Sequence, residues 1–255
     1  MRNKLYIALG IVVIVFVAVF VQRSNQQLET KQPSAQRVQE VEDTVKLSSG
    51  GFLTDSAGKT LYFFAKDTKG TSVCLGECLA KWPVFYTDNP VTNSELKSSD
   101  FSMITRSDGG RQSTYKGWPL YSFIMDKSAG DINGEGVGGV WFVAKPNYSV
   151  ALANDPTLTS YLVDIQGRTL YYFTKDAAGI SNCKGECLAT WPVFYTESVV
   201  VPSLVKDKDF GSIVNSEGSK QTTYKGKPLY YFSMDKNKGD TNGQGVKDVW
   251  FVAKL

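Results

Sequence analysis

Shifted by 109 positions, the chain lies on itself without a gap. Residues 53–145 match residues 162–254, and 55 of those 93 positions are identical. Whatever this chain folds into, it must fold into twice. A second period lies inside each copy. Tyr62 and Tyr121 are 59 positions apart, as are Tyr171 and Tyr230. Each of these tyrosines has a tryptophan 20 positions later: Trp82, Trp141, Trp191 and Trp250. Four related units therefore follow one another, odd and even in alternation.

Every unit opens on Tyr-x-Phe-x-x-Asp. The four instances are Tyr62, Phe64 and Asp67; Tyr121, Phe123 and Asp126; Tyr171, Phe173 and Asp176; Tyr230, Phe232 and Asp235. Strand residues alternate sides, so Tyr and Phe share one face, and Asp falls just beyond, where it favours turns by binding nearby backbone N–H groups. Strands are predicted at 60–64 and 169–173, and again at 82–86 and 141–144. A hairpin is predicted at 101–105 and 111–115, around Asp108-Gly109. Gly58, Gly117, Gly167 and Gly226 punctuate the entries to the units. Pro83, Pro119, Pro192 and Pro228 suit strand starts or edges.

The expected fold class is mainly β, with two homologous tandem β repeats at 47–148 and 149–255. They are expected as packed sandwich-like or barrel-like domains, because the segment between them is not Gly/Ser-rich. One propeller-like ring of four units is the alternative. The tyrosine, phenylalanine and tryptophan set is expected in the core. Its functional alternative is an aromatic platform that stacks on sugars or a planar ligand.

Histidine is absent. That removes the usual general base near pH 7, the commonest metal ligand and every Ser-His or Cys-His pair. The formal charge of +3 gathers into no basic run, which argues against nucleic acid as a partner. Residues 5–22 begin with LYIALGIVVIVFVAVFV, an uncharged apolar run near the lower limit of a spanning helix. Arg2 and Lys4 precede it, so residues 1–4 are expected in the cytoplasm and the rest outside, on a single-pass signal anchor. A cleaved signal peptide is the rival, but Ala18-Val19-Phe20 is a poor cleavage site. Residues 23–46, glutamine-rich and polar, are expected to form a stalk.

The loop between tyrosine and tryptophan differs by unit. Odd units carry Cys74 and Cys78, or Cys183 and Cys187. Outside the cytoplasm disulfides persist, and two cysteines per repeat favour Cys74–Cys78 and Cys183–Cys187, although four cysteines allow three connectivities. A redox or Cu(I)-binding Cys-x-x-x-Cys is the sharper alternative, and a zinc site of all four cysteines a further one. Even units carry Asp126, Asp131, Asn133 and Glu135, matched by Asp235, Asp240 and Asn242. These oxygens could hold Ca2+, with carbonyls or water completing the shell, but the spacing is not that of an EF-hand. The alternative is a Gly-rich loop held by Asx-turns.

Taken together, Tyr-x-[Phe/Trp/Tyr]-x-x-Asp four times, Cys-x-Gly-x-Cys before Trp-Pro, and Gly-Asp-x-Asn-Gly-x-Gly-Val before Trp resemble a family of tandem secreted or lipoprotein repeats of unknown function. The likeness covers about residues 47–255. It implies an extracytoplasmic, envelope-attached bacterial or archaeal protein and supplies no catalytic residues. The chain departs from the lipoprotein members in having an apparent spanning helix where they have a lipidated cysteine. The function expected is a non-enzymatic, membrane-anchored envelope module that binds a glycan or protein partner or serves as a scaffold. A metal or thiol-redox protein is the alternative, and a hydrolase using Asp67 with Asp126 a third.

Overall fold

The computed structural model describes residues 44–255, apart from 69, 89, 91, 93 and 94. The expected cytoplasmic tip, the spanning segment and nearly all of the stalk lie outside the described residues. Among the described residues no helix is long and apolar enough to cross a membrane.

The first repeat contains β1 (Val45–Leu47), β2 (Leu53–Asp55), β3 (Tyr62–Phe64), α1 (Glu77–Lys81), β4 (Phe101–Thr105), β5 (Arg111–Tyr115), β6 (Trp118–Pro119) and β7 (Trp141–Val143). The second contains β8 (Val150–Asp155), β9 (Thr159–Asp164), β10 (Tyr171–Phe173), α2 (Glu186–Thr190), β11 (Phe210–Val214), β12 (Lys220–Tyr224), β13 (Lys227–Pro228) and β14 (Trp250–Val252). The hairpin predicted at 101–105 and 111–115 is β4–β5, paired from Phe101 opposite Tyr115 to Thr105 opposite Arg111.

Each copy closes on itself. β3 pairs antiparallel with β7, Tyr62 opposite Val143 and Phe64 opposite Trp141. On its other edge, Tyr62 exchanges backbone hydrogen bonds of 2.8 and 3.1 Å with Tyr121. β10 and β14 pair the same way, and Tyr171 bridges Tyr230. The described sheets have two or three strands each, with no closed barrel, and β3–β7 and β10–β14 join inside their own repeats. Two self-closed repeats thus replace both the barrel-like expectation and the ring of four.

The predicted strand at 82–86 is a correction. Only Val84 makes a bridge there, to Tyr121, and the segment follows a single helical turn instead. That turn, α1, escapes periodicity because five residues cannot show a helical repeat. Buried Val163, Ile165 and Tyr161 of the second repeat share a core with Leu61, Phe63 and Trp118 of the first. The two copies therefore pack together, as the composition of 146–159 suggests.

Candidate binding site

The motif residues form reciprocal ties. The Tyr62 hydroxyl donates to Asp126 Oδ2 at 2.6 Å, and the Tyr121 hydroxyl donates to Asp67 Oδ2 at 2.5 Å. In the second repeat Tyr171 donates to Asp235 at 2.7 Å and Tyr230 to Asp176 at 2.8 Å. Each unit's tyrosine thus holds the other unit's aspartate. The second oxygen of each aspartate caps its own loop, accepting from the N–H of Val73, Asn133, Asn182 or Asn242 at 2.7–3.0 Å. Asp67 and Asp126 therefore face separate turns and separate tyrosines.

Between the ties lies a column of four rings. Trp82 and Trp141 stack at 3.8 Å with planes 3° apart, flanked by Phe123 at 4.2 Å and Phe64 at 4.1 Å. Trp191 and Trp250 repeat it at 3.8 Å and 3°, with Phe232 at 4.2 Å and Phe173 at 4.3 Å. All four tryptophans are buried. Gly134 lies against this column: a Cβ there would meet Trp82 and Tyr62 at 2.7–2.8 Å. Gly243 meets Tyr171 and Trp191 in the same way. The even-unit loops thus need glycine for close packing on the aromatics.

In the odd loops Cys74 pairs with Cys78 and Cys183 with Cys187. Each bridge spans the entry to its helical turn. In the even loops the side chains singled out for calcium have separate tasks. Asp131 Oδ2 accepts from the N–H groups of Lys127 and Ser128, both at 2.8 Å. Asp240 does the same for Lys236 and Asn237. Asn133 and Asn242 give their N–H groups to Asp126 and Asp235. Glu135 accepts from Val143 N–H at 2.6 Å and from Ser203 N–H at 3.3 Å, the latter in the second repeat. Among the described residues no group of three or more Cys, Asp or Glu is arranged to hold a metal ion.

The two copies differ most in use at one face. In the first repeat Phe63, Trp118 and Phe142 form it, all under 5% exposed. Tyr148, which leads into the second repeat, and Ala151, Leu152 and Pro202 of that repeat line what little space remains there, about 10 Å³. Three polar anchors hold the covering segments, two of them in the second repeat and one at Pro146 just before it. Trp118 Nε1 donates to the Ile165 carbonyl at 2.8 Å, Lys116 Nζ to the Pro146 carbonyl at 2.9 Å, and Glu135 accepts from Ser203. All three bind backbone groups of the covering segments. In the second repeat the same positions are Tyr172, Lys227 and Phe251, with Lys225 and Gln244 at the other anchors. Here the face is an open cavity of about 410 Å³, walled also by Tyr224, Leu229 and Lys254. Lys227 Nζ lies 4.0 Å from the centre of the Tyr172 ring and Lys225 Nζ 5.0 Å from that of Tyr224. Lys225 sits at the tip of a two-residue turn with Gly226, at φ 49° and 78°. That turn type matches strand twist and fixes the lysine at the rim.

No match was found among curated proteins or solved structures. One family model matches four stretches, 43–86, 102–145, 157–195 and 211–254, and it describes a secreted repeat of unknown function. The chain belongs to this Lipoprotein_15 family. The four matched stretches correspond to the four units, each holding one tyrosine and its tryptophan. The Lipoprotein_15 motif residues are thus the ties and columns that close each repeat, while the open face uses residues outside the motif. The sequence carries a partial signal for that face: three of its lining positions differ between the copies, Phe63 against Tyr172, Trp118 against Lys227 and Glu135 against Gln244, while Tyr224, Lys225 and Lys254 match Tyr115, Lys116 and Lys145.

Burial pushes the Asp67 carboxyl up to about 7, against the lowering effects of the Tyr121 hydroxyl, the Val73 N–H and the Arg106 charge. Asp176, at the matching position, is raised by burial as well. Because Asp67 titrates higher in the folded chain, the folded state holds more protons through this window. Its contribution to stability is full below about pH 4 and is lost as pH rises through about 7. The stability difference between the wild type and Asp67→Asn should therefore change by a few kcal/mol, in order of magnitude, from pH 4 to 7. Urea denaturation across that range measures it, and a pH-independent difference would refute the assignment.

Proposed function

We propose that this chain is a membrane-anchored, extracytoplasmic, non-enzymatic binding module of the cell envelope, and that the open face of its second repeat is the binding surface. The observation that carries the reading is the contrast between copies. The face that serves as a packed interface in the first repeat is an open cavity of about 410 Å³ in the second. That volume suits a bound group. Lys225, Lys227 and Lys254 give the surface a positive rim, so the favoured partner is anionic. The apolar run at 5–22 and its flanking charges support the anchor, and the secreted family supports the extracytoplasmic side.

Retention of the full chain on immobilised dextran sulfate tests this reading. The wild type should elute at higher salt than a Lys225→Glu, Lys227→Glu double variant. A control double variant at exposed Lys206 and Lys247, which lie outside the cavity lining, should elute closer to the wild type. Equal loss in both variants, or no retention at all, would count against the face as the binding surface.

A further inference from the structure

We infer that the open face of the second repeat docks an extended acidic polypeptide segment, laid as residues 146–152 lie on the first. The inference rests on the proposed function and specifies its partner. It follows from the anchors. In the first repeat, Lys116 and Trp118 donate to main-chain carbonyls and Glu135 accepts from a main-chain N–H. Those three contacts recognise backbone, not any particular side chain, and they hold three separate stretches, of which the one that starts at Pro146 continues along the face through Tyr148, Ala151 and Leu152. The second repeat keeps a donor at both donor positions, Lys225 and Lys227, while Gln244 carries an amide NH2 where Glu135 has a second carboxylate oxygen. Gln244 Oε1 already accepts from Val252 N–H at 2.9 Å, as Glu135 does from Val143. The two donor positions for main-chain carbonyls are therefore present, and the amide of Gln244 adds a further donor at the edge.

What changes is the side-chain preference. Trp118 is buried among Phe63, Phe142, Ala151 and Leu152, an apolar surround. Its counterpart Lys227 is exposed and lies over Tyr172, with Lys225 and Lys254 lining the same cavity. Exchanging an indole for an ammonium at the centre of the face, and a carboxylate for an amide at its edge, favours carboxylates where the first repeat accepts Ala151 and Leu152. Phe251, Leu229 and the Tyr224 ring keep apolar wall for an aromatic or aliphatic neighbour. Recognition of this kind places affinity in backbone contacts and specificity in the alternating side chains.

Two dye-labelled peptides test the inference by fluorescence anisotropy with the full chain. One is PNYSVAL, the sequence of residues 146–152; the other is PNYSVED, with acids at the last two positions. Wild type should bind PNYSVED about tenfold more tightly than PNYSVAL, a difference of about 1.4 kcal/mol. Lys227→Trp, which installs the first repeat's residue on an exposed position, should reverse that preference. Retention on dextran sulfate with no binding of either peptide would overturn the polypeptide partner and leave the anion-binding face standing. Equal affinity for both peptides in wild type and variant would overturn it too. Failure to bind dextran sulfate and peptides alike would overturn both readings.

Discussion

Trp141→Ala is expected to lower the unfolding free energy by about 3–5 kcal/mol, the range for emptying a buried aromatic site. Trp141 sits inside the ring column, its ring centre 3.8 Å from that of Trp82, 4.1 Å from Phe64 and 5.0 Å from Tyr121, which meets it edge to face. Those neighbours come from both units of the repeat. Removing the indole therefore loosens odd and even units together, and the Tyr121–Asp67 tie beside it. Trp250→Ala should do the same in the second repeat, where Trp191 lies at 3.8 Å and Phe173 at 4.3 Å. Urea denaturation followed by near-ultraviolet circular dichroism reads both variants. A loss below about 1 kcal/mol would show that the column is not central to the core.

The second large effect is expected at Arg106, and it should be one-sided. Its guanidinium is buried and donates to Ser72 Oγ at 2.6 Å, Gln112 Oε1 at 2.9 Å and the Cys74 carbonyl at 2.9 Å. Asp108, at 3.0 Å and 42% exposed, supplies the countercharge. Ser72 in turn contacts the Tyr121 hydroxyl at 2.7 Å, so the guanidinium supports the Tyr121–Asp67 tie. Arg106→Ala strands three buried acceptors and should cost about 3–5 kcal/mol. The matching residue of the second repeat is Asn215, and there Asn215 Nδ2 and Gln221 Oε1 are buried without a partner. Asn215→Ala removes one of those unsatisfied groups together with the Oδ1 that accepts from Glu217 and Ser219 N–H at 3.0 Å, and should cost about 1–2 kcal/mol, less than Arg106→Ala. Parallel thermal and urea unfolding of the two variants decides the matter, and equal losses would contradict it.

Much of the architecture was open to sequence reading because repetition and turn chemistry are local or periodic. The shift of 109, the Tyr-to-Trp spacing of 20 and the β4–β5 hairpin around Asp108-Gly109 all register in the chain itself. So does the cross-linking of each odd loop, since its cysteines are four positions apart. The reciprocal ties were not legible in the same way. Tyr62 and Asp126 are 64 positions apart, Tyr121 and Asp67 are 54, and nothing local to a motif says which aspartate a tyrosine will meet. Asp131 and Glu135 looked like cation ligands because side-chain oxygens close in sequence suggest convergence. In the fold their oxygens turn to different N–H groups, those of Lys127 and Ser128 for Asp131 and those of Val143 and Ser203 for Glu135. The open face was hidden for another reason. Most of its lining is identical in the two copies and only Tyr172, Lys227 and Gln244 differ, so comparison of the copies does not tell the covered face from the open one.

The most direct test of the account is lysine acetylation of the full chain, followed by mass spectrometry, with and without dextran sulfate. The account predicts that the polyanion protects Lys225, Lys227 and Lys254 while leaving Lys206 and Lys247 as reactive as before. Equal protection at all five, or protection only away from the cavity, would contradict the assignment of the second repeat's open face as the binding surface.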